Sequence, residues 1–351
     1  MKDFFGPFTA FIEERFDLTP LRRWARHKKV PQHKHSFWYY FGGLALFIIS
    51  LQFVTGILMA FYYSPTPDTA HESVRYIMEK VHYGWLIRSM HFWGANFLVA
   101  VVLVHMFSTY FMKAYRKPRE LMWLIGVLLA GLVLAFAFTG YLLPWTTLSY
   151  FATKVGVNMP MVMPGIGGFL SRLLEGGEDV GAATLTRMFT LHVVLLPILT
   201  LVLVTAHVFL SQVFGSSVPL SQKGYSEETR FFPTFVLRDS AVWAGMLAIL
   251  IAFVTIFPAN LSSKVNPVMP APAGIKPEWY FLFLFQTLRT FPEIPAIAAV
   301  TIGLIIWMLV PFLDKRSAKG ERSTFFTLFG VAILVYMIAM TVMAYITTEV
   351  H

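Results

Sequence analysis

The stretch RSMHFWGANFLVAVVLVH, residues 88–105, decides the fold, because it is apolar enough to lie in a membrane and still carries two histidines. Ionisable residues inside a membrane are rare and are functional candidates by default. His91 and His105 are 14 residues apart, so in an α-helix they return to within roughly 40° of one face and lie ~21 Å apart. A second apolar stretch, residues 187–207, carries His192 and His207 15 residues apart, which is ~22 Å along a helix. Two such helices present paired histidines at matching depths and can clamp two stacked metal cofactors.

The composition is that of an integral membrane protein. The 351 residues are 56% hydrophobic and 13% charged, with a mean hydropathy of +0.63, which is too apolar for an ordinary soluble domain. The chain has no cysteine, which excludes disulfides, thiolate-bound metals, iron–sulfur clusters and thioether-attached haem on this chain. The first 36 residues have no apolar core of signal-peptide type, so no cleaved signal is expected.

The apolar segments and the positive charges together predict the topology. The basic residues divide 19 to 9 between alternate sides of the spans, as the positive-inside rule requires for a cytoplasmic N-terminus and a C-terminus on the outer side. The net charge of +9 is therefore topological, and no nucleic-acid partner is expected. The predicted fold class is an all-α integral membrane protein with seven transmembrane helices, at about 37–62, 84–111, 121–142, 187–213, 241–258, 296–312 and 324–346.

Three parts follow from this topology. Residues 1–36 are predicted to form an amphipathic segment on the cytoplasmic surface. Residues 37–215 form a four-helix bundle around the cofactors, and residues 216–351 form a three-helix half that packs against it. The boundary is the loop 214–240, which we interpret as neither helical nor apolar.

Polar segments between the spans carry further predictions. Short surface helices are expected on the outer side at about 148–155 and 166–175. The outer loop 258–295 is about 38 residues long, and a loop of this length is usually functional. Five histidines outside the spans are expected to face solvent or the membrane interface: His27, His33, His35, His71 and His82.

Two pairs of glycines repeat the interval between the first two histidines. Gly42 and Gly56 in the first span are 14 residues apart, and so are Gly126 and Gly140 in the third. Close helix packing explains any single glycine in a membrane helix. The repeated interval favours a second interpretation, in which the glycines leave room at both histidine depths for a flat macrocycle such as haem.

Three arginines lie near the ends of these helices. Arg88 and Arg187 precede His91 and His192 by three and five residues, and Arg119 lies in the inner loop. Such arginines can extend to the lipid headgroups. We favour ion pairs between Arg88, Arg187 and the carboxylates of a haem, with Arg119 facing an inner cofactor.

The long outer loop contains a carboxylate at the edge of an apolar run. Pro277-Glu278-Trp279-Tyr280 leads directly into FLFLFQTLR. Desolvation there should raise the pKa of Glu278 and suit it to carrying protons. The alternative is an interfacial glutamate that points to water, and the local sequence supports both interpretations equally.

These motifs resemble the cytochrome b subunit of quinol-oxidising cytochrome bc complexes. The resemblance covers about residues 37–313 and rests on the four histidines, the glycine pairs, GYLLPW and PEWY followed by FLFLFQTLR. The chain looks closest to the short chloroplast-type form, with its haem subunit and three-helix partner fused. It departs from that form at Tyr40, where the relatives have a cysteine that attaches an extra haem, so no covalent haem is predicted.

The resemblance implies two non-covalent b-type haems. His91 and His192 would bind the outer, low-potential haem, and His105 and His207 the inner, high-potential one. Quinol would be oxidised in an outer pocket that gives one electron to a Rieske iron–sulfur protein and one to the haems, with proton release outside. The residues implied for this pocket are Tyr141, Pro277, Glu278, Trp279 and Tyr280.

An inner quinone site and several partners are also implied. Arg238 and Asp239 resemble a basic-acidic pair of the inner site, with Asp239 as proton donor, whereas Val213 replaces a histidine that some relatives carry. The implied partners are a c-type cytochrome or equivalent acceptor, membrane lipid and a second copy of the complex, in an energy-transducing or cytoplasmic membrane.

Two other functions fit part of the pattern. A di-haem membrane anchor that links quinones to a dehydrogenase or hydrogenase explains the four histidines but not the glycine pairs or PEWY. A transporter with a histidine proton relay explains only the intramembrane histidines.

Overall fold

A computed structural model describes residues 6–162, 165–222 and 227–347. Residues 1–5 of the predicted N-terminal segment, 163–164 on the predicted outer side, 223–226 in the loop between the halves and 348–351 at the C-terminus therefore lie outside the described residues. Within the described part, seven helices are long and apolar enough to cross a membrane: Ser36–Ala60, Gly84–Phe111, Glu120–Leu142, Ala182–Phe214, Phe231–Ile256, Glu293–Ala318 and Thr324–Ile346. They are called the first to seventh membrane helices below. The predicted all-α fold with seven spans is confirmed.

The fourth and fifth membrane helices begin at least one full turn earlier than predicted. Their first turns are less apolar than the stretches from which the spans are predicted. The fourth begins at Ala182, where the N–H of Gly181 donates to the Thr184 hydroxyl (3.0 Å). The fifth has its α-helical part at Val236–Ile256, after a turn at Phe231–Phe235 in which Phe232 is extended (φ −112°, ψ 134°). The interpretation of 214–240 as non-helical is therefore wrong for 236–240.

The N-terminal segment is joined to the loop between the two halves. It forms helices Gly6–Arg15 and Thr19–His27, and its strand Lys29–Pro31 pairs antiparallel with Glu228–Arg230. This two-stranded sheet is absent from the sequence predictions. The remaining α-helices are Ala70–Glu79, Thr147–Asn158, Gly167–Glu175 and Leu282–Thr290, and the remaining 3-10 turns are Met159–Val162, Leu220–Gln222 and Trp279–Phe281. The first membrane helix begins with the 3-10 turn Ser36–Tyr39, and the sixth ends with the short helix Lys315–Ala318.

Two of the histidines expected to face solvent are buried. The Nε2 of His33 lies 2.5 Å from the Tyr39 hydroxyl. The Nε2 of His71 lies 2.9 Å from the carbonyl oxygen of Ser262. The His71 ring joins two segments distant in sequence, and His33 contacts a tyrosine whose hydroxyl donates to the carbonyl of Ser217. The prediction is therefore wrong for both, whereas His27 and His82 are exposed as predicted.

Loop contacts define the two faces of the helix bundle. The face on which the N-terminal segment lies is called the N-terminal face. There, Arg116 donates to the carbonyl of Val218 (2.8 Å), and this bond joins the loops that follow the second and fourth membrane helices. At the opposite face, the Thr147 N–H donates to the carbonyl of Ser263 (3.0 Å), and Lys276 Nζ donates to that of Ala344 (2.7 Å) at the end of the seventh helix. The two predicted surface helices lie at this opposite face.

A buried polar cluster joins the two halves at the N-terminal face. Asp314 and Lys113 are only 2% and 6% exposed, and their charged groups lie 3.9 Å apart. The Tyr115 hydroxyl donates to the same Asp314 oxygen (2.7 Å). Beside them, Trp123 Nε1 donates to the carbonyl of Trp307 (3.0 Å). Burial lowers the pKa of Lys113, and Asp314 opposes that effect.

We expect Asp314→Ala to destabilise the protein more than a matched surface change. Removing one partner leaves the other charge buried without compensation, which costs about 3 kcal/mol or more. The exposed pair Arg316–Glu321 (3.6 Å) gives the control, because Glu321→Ala should cost less than about 1 kcal/mol. Thermal unfolding in detergent measures both, and equal losses of stability would contradict a role for Asp314 in holding the halves together.

Candidate functional site

The second and fourth membrane helices bring the four histidines together in two pairs. The ring centroids of His91 and His192 are 6.2 Å apart. Two metal–nitrogen bonds of about 2 Å, with ~1.1 Å from ring nitrogen to centroid added at each end, place two axial imidazoles about 6.2 Å apart. His105 and His207 are electrostatic neighbours nearer the N-terminal face. The pairing predicted from the spacing is thus present in the fold.

The ring nitrogens suit a metal that receives its remaining ligands from a macrocycle. Among the described residues, no Nε2 of these four histidines takes part in a hydrogen bond, and the bonds to His91 and His192 involve Nδ1. The same part of the chain contains no group of three or more His, Asp or Glu side chains that could hold a metal ion alone. Two neutral imidazoles per site fit the axial positions of a b-type haem.

A π-helical turn explains the unequal histidine intervals. His192 lies in the turn Leu191–Leu195, and Pro197 follows in the first turn of the α-helix beyond it. Proline has no N–H to continue the hydrogen-bond ladder, and a π-turn inserts one extra residue. The 15-residue interval in the fourth helix therefore matches the 14-residue interval in the second.

Each of the four glycines lies against one histidine ring. A Cβ at each would lie 2.5 to 3.3 Å from the Cε1 of that ring. The glycines occur at the two histidine depths, as predicted, and the group they make room for in the structure is the imidazole. The contacts are Gly42 with His105, Gly56 with His91, Gly126 with His207 and Gly140 with His192.

The three predicted cofactor arginines all donate to main-chain carbonyls. Arg88 is buried and bonds the carbonyl of Ala259 (2.7 Å). Arg187 bonds that of Arg172 (3.0 Å), in the last turn of a surface helix, and Arg119 bonds that of Phe214 (2.8 Å). A guanidinium has five N–H groups, so each can also bind a cofactor carboxylate, and that role remains a prediction.

A cavity of about 290 Å³ lies at the opposite face, between the third membrane helix, the surface helix Thr147–Asn158 and the PEWY segment. Tyr141, Pro277, Glu278 and Tyr280 line it together with apolar side chains. Burial raises the pKa of Glu278, which favours the first of the two interpretations that the local sequence leaves open. The pocket thus places one carboxyl and two phenol groups in apolar surroundings.

Trp279 does not line this cavity. Its Nε1 donates to Asn96 Oδ1 (2.9 Å), on the second membrane helix between the two histidines. The Asn96 amide nitrogen donates to the carbonyl of Phe92 (3.0 Å), which leaves the oxygen available to the indole. Asn96 is not identifiable from the sequence alone, because a single asparagine in an apolar helix gives no sign of its partner.

The predicted inner pair separates in the structure. Arg238 is exposed, whereas Oδ1 of Asp239 is buried and has no hydrogen-bond partner among the described residues. A Cβ on Gly43 would collide with the Asp239 carboxylate, next to the glycine that faces His105. Tyr40 stacks on Phe235 close by (centroids 5.0 Å apart, 15° between planes).

Comparisons with known proteins identify two family regions in this chain. The family described as "Cytochrome b/b6/petB" matches residues 26–215, and "Cytochrome b(C-terminal)/b6/petD" matches residues 264–351. A "Cytochrome bc complex cytochrome b subunit" of Chlorobaculum thiosulfatiphilum is 47% identical over 96% of this chain and 80% of its own length. The "Cytochrome b6" of a Synechococcus strain is 44% identical over 60% of this chain and 97% of its own. A solved "Hyperthermophilic respiratory Complex III" chain superposes with a TM-score of 0.86 at 31% identity, covering 97% of this chain and 92% of its own.

We expect Gly140→Ala to lower the haem content of the protein, because it disturbs one of the two histidine pairs. The new Cβ would lie 2.5 Å from Cε1 of His192 and displace the ring. Gly131→Ala in the same helix is the matched control, because no atom lies within 4 Å of its Cβ position. Haem per polypeptide and the reduced b-band spectrum measure the effect, and full haem content in Gly140→Ala would show that this clearance is not required.

Proposed function

Because the chain belongs to the cytochrome b/b6 family, as a cytochrome b of a bc-type complex in which the two family regions are fused, we propose that it oxidises quinol in the Glu278 pocket. The observation that carries the proposal is the combination, in one bundle, of two histidine pairs with facing glycines and a carboxylate pocket at one face. A di-haem anchor accounts for the histidines alone, and the family match over 264–351 favours the bc-type function.

Two b-type haems bound at these pairs would supply one-electron transfer between the two faces of the membrane. The first would be held by His91 and His192, and the second by His105 and His207. Each haem would take its protein ligands from two imidazoles, a ligand set that suits electron transfer rather than the binding of oxygen. The remaining N–H groups of Arg88 and Arg187 are proposed to bind carboxylates of the first haem, and those of Arg119 to face the second.

The pocket residues perform the proton chemistry of quinol oxidation. A cavity of about 290 Å³ admits a quinone ring. Quinol oxidation releases two electrons and two protons, and one ionised carboxylate can take up one of those protons at a time. Glu278 is proposed to accept a proton from a quinol hydroxyl and release it outside, while the hydroxyls of Tyr141 and Tyr280 orient the ring.

The second quinone site is proposed at the N-terminal face. The buried Asp239 oxygen lies beside the backbone that faces His105, so it can deliver a proton to quinone reduced there. Arg238 at the exposed start of the fifth helix is proposed to attract the proton supply. The split of positive charge supports the N-terminal face as cytoplasmic.

The proposed partners follow from the complex to which the family belongs. One electron per quinol is proposed to go to a Rieske iron–sulfur protein that docks at the opposite face, and from there to a c-type cytochrome or equivalent acceptor. We propose a homodimeric complex in an energy-transducing membrane with bound lipid. The surface helix Thr147–Asn158 lines the pocket. Together with the helix Gly167–Glu175, which is hydrogen-bonded to it through Ser171 and Val157, it is the proposed docking surface.

We expect Glu278→Gln to slow quinol oxidation by roughly tenfold or more, with both haems still bound. The pKa of Glu278 is raised above its ordinary 4.5, and below that raised pKa the carboxyl is already protonated and cannot accept a proton. Wild-type turnover should therefore rise with pH through this pKa, and the Gln variant should lose that dependence.

The assay is quinol-dependent reduction of the acceptor by the purified complex, measured against pH. Glu293→Gln is the matched control, because Glu293 is exposed at the start of the sixth helix. Unchanged turnover and an unchanged pH profile in Glu278→Gln would exclude the proposed proton acceptor.

A further inference from the structure

The residue before each of the four glycines differs between the two histidine depths. At the depth of His91 and His192 that residue is threonine, and at the depth of His105 and His207 it is a large apolar side chain. The doublets are Thr55-Gly56 and Thr139-Gly140 for the first depth, and Phe41-Gly42 and Ile125-Gly126 for the second.

Both threonine hydroxyls lie within hydrogen-bond distance of a histidine nitrogen. Thr139 Oγ1 lies 3.0 Å from Nδ1 of His192, and Thr55 Oγ1 lies 2.9 Å from Nδ1 of His91. Each hydroxyl also donates to a carbonyl of its own helix, at Ala135 or Leu51, over 2.8 Å.

These contacts favour one direction of the bond and one tautomer of the His192 ring. A threonine hydroxyl has one proton, and Thr139 can give it to the Ala135 carbonyl, which leaves its oxygen to accept from Nδ1–H of His192. With the proton of the neutral imidazole on Nδ1, Nε2 keeps its lone pair for a metal. Thr55 makes the same two kinds of contact, with a carbonyl of its own helix and with His91.

The two histidines at the other depth have no hydroxyl partner. Nδ1 of His105 is buried without a hydrogen bond within the described part of the chain, and the ring of His207 has the main chain of Met122 as its polar neighbour. Because Phe41 and Ile125 occupy the equivalent positions, neither neighbouring helix offers a hydroxyl there. The two depths therefore differ in the residue that precedes each glycine on the first and third membrane helices: a hydroxyl-bearing residue at one depth and an apolar residue at the other.

We propose that Thr55 and Thr139 are positioning residues that lower the midpoint potential of the haem held by His91 and His192 relative to the other haem. This inference rests on the proposed di-haem function. A hydrogen bond from Nδ1–H to an acceptor makes the imidazole a stronger electron donor. A stronger donor stabilises the oxidised iron more than the reduced iron, and such bonds are one of the means by which a protein sets a haem potential.

Thr139 is the better residue for a test than Thr55. With the Gln52 amide oriented so that its nitrogen donates to the His91 carbonyl (3.0 Å), that nitrogen also lies 3.2 Å from Nδ1 of His91. The ring of His91 therefore has a second polar neighbour. His192 packs its ring against Phe136 (centroids 5.4 Å apart). Its side-chain hydrogen bond is the one with Thr139, and its other polar neighbour is the main chain of Phe136.

The experiment is a potentiometric titration of the purified complex, followed in the optical b bands. Thr139→Val removes a hydrogen bond of about 1 kcal/mol. At a given potential, the reduced-to-oxidised ratio of the haem held by His91 and His192 should therefore rise about fivefold. This corresponds to an upward shift of its midpoint potential by about 40 mV, at 59 mV per tenfold change. Thr139→Ser keeps a hydroxyl and should retain the wild-type value. Ile125→Thr should lower the potential of the other haem, because it adds a hydroxyl beside His207.

The control is Thr255→Val, which removes an equivalent threonine-to-carbonyl bond (2.7 Å) at an exposed position of the fifth helix. It should leave both potentials unchanged. An equal shift of both haems in Thr139→Val, or no shift beyond that of Thr255→Val, would overturn the inference while leaving the di-haem function intact. Absence of any b band from the wild-type protein would instead overturn the proposed function itself.

Discussion

The contact between each histidine ring and a glycine backbone is the constraint on which the rest of the bundle depends. An imidazole that enters a membrane bundle needs a neighbouring helix without a side chain, and the first and third membrane helices each supply two such positions. Small residues at these positions let the helices approach closely. Because the histidines lie at two depths on the second and fourth helices, the four contacts fix the rotation and the axial position of all four helices together.

Once the bundle is fixed, the three-helix half is held against it at both faces. In a membrane, polar groups need partners within the protein, and the joining contacts are polar groups that satisfy one another. Asp314 meets Lys113 and Tyr115 at the N-terminal face, and the N-terminal strand pairs with the loop between the halves. At the opposite face Lys276 caps the seventh helix two residues before Glu278, so the packing of that helix also positions the PEWY segment.

The features that the sequence predicts well are those with a regular period. Seven apolar spans, the 14-residue intervals and the short surface helices all follow from hydropathy and helix geometry. The features it misses depend on long-range partners or on a local break in the period. His71 is predicted to be a surface residue because its partner, Ser262, is far away in sequence, and the burial of His33 depends on a tyrosine that itself bonds the distant Ser217. The π-turn at His192 breaks the period, and Pro197 is the sequence signal that identifies it once the two histidine intervals are compared.

Three consecutive residues of the third membrane helix connect the separate requirements of the site. Thr139 directs its hydroxyl to Nδ1 of His192, Gly140 leaves room for the same ring, and Tyr141 lines the pocket that contains Glu278. A change in the rotation of this helix would alter the position of the imidazole, its hydrogen bond and the pocket at the same time. The histidine pair with hydroxyl partners is therefore next to the carboxylate pocket, whereas the pair without them lies towards the other face. The same turn of the third membrane helix thus contributes both to the surroundings of the His91–His192 pair and to the carboxylate pocket beside it.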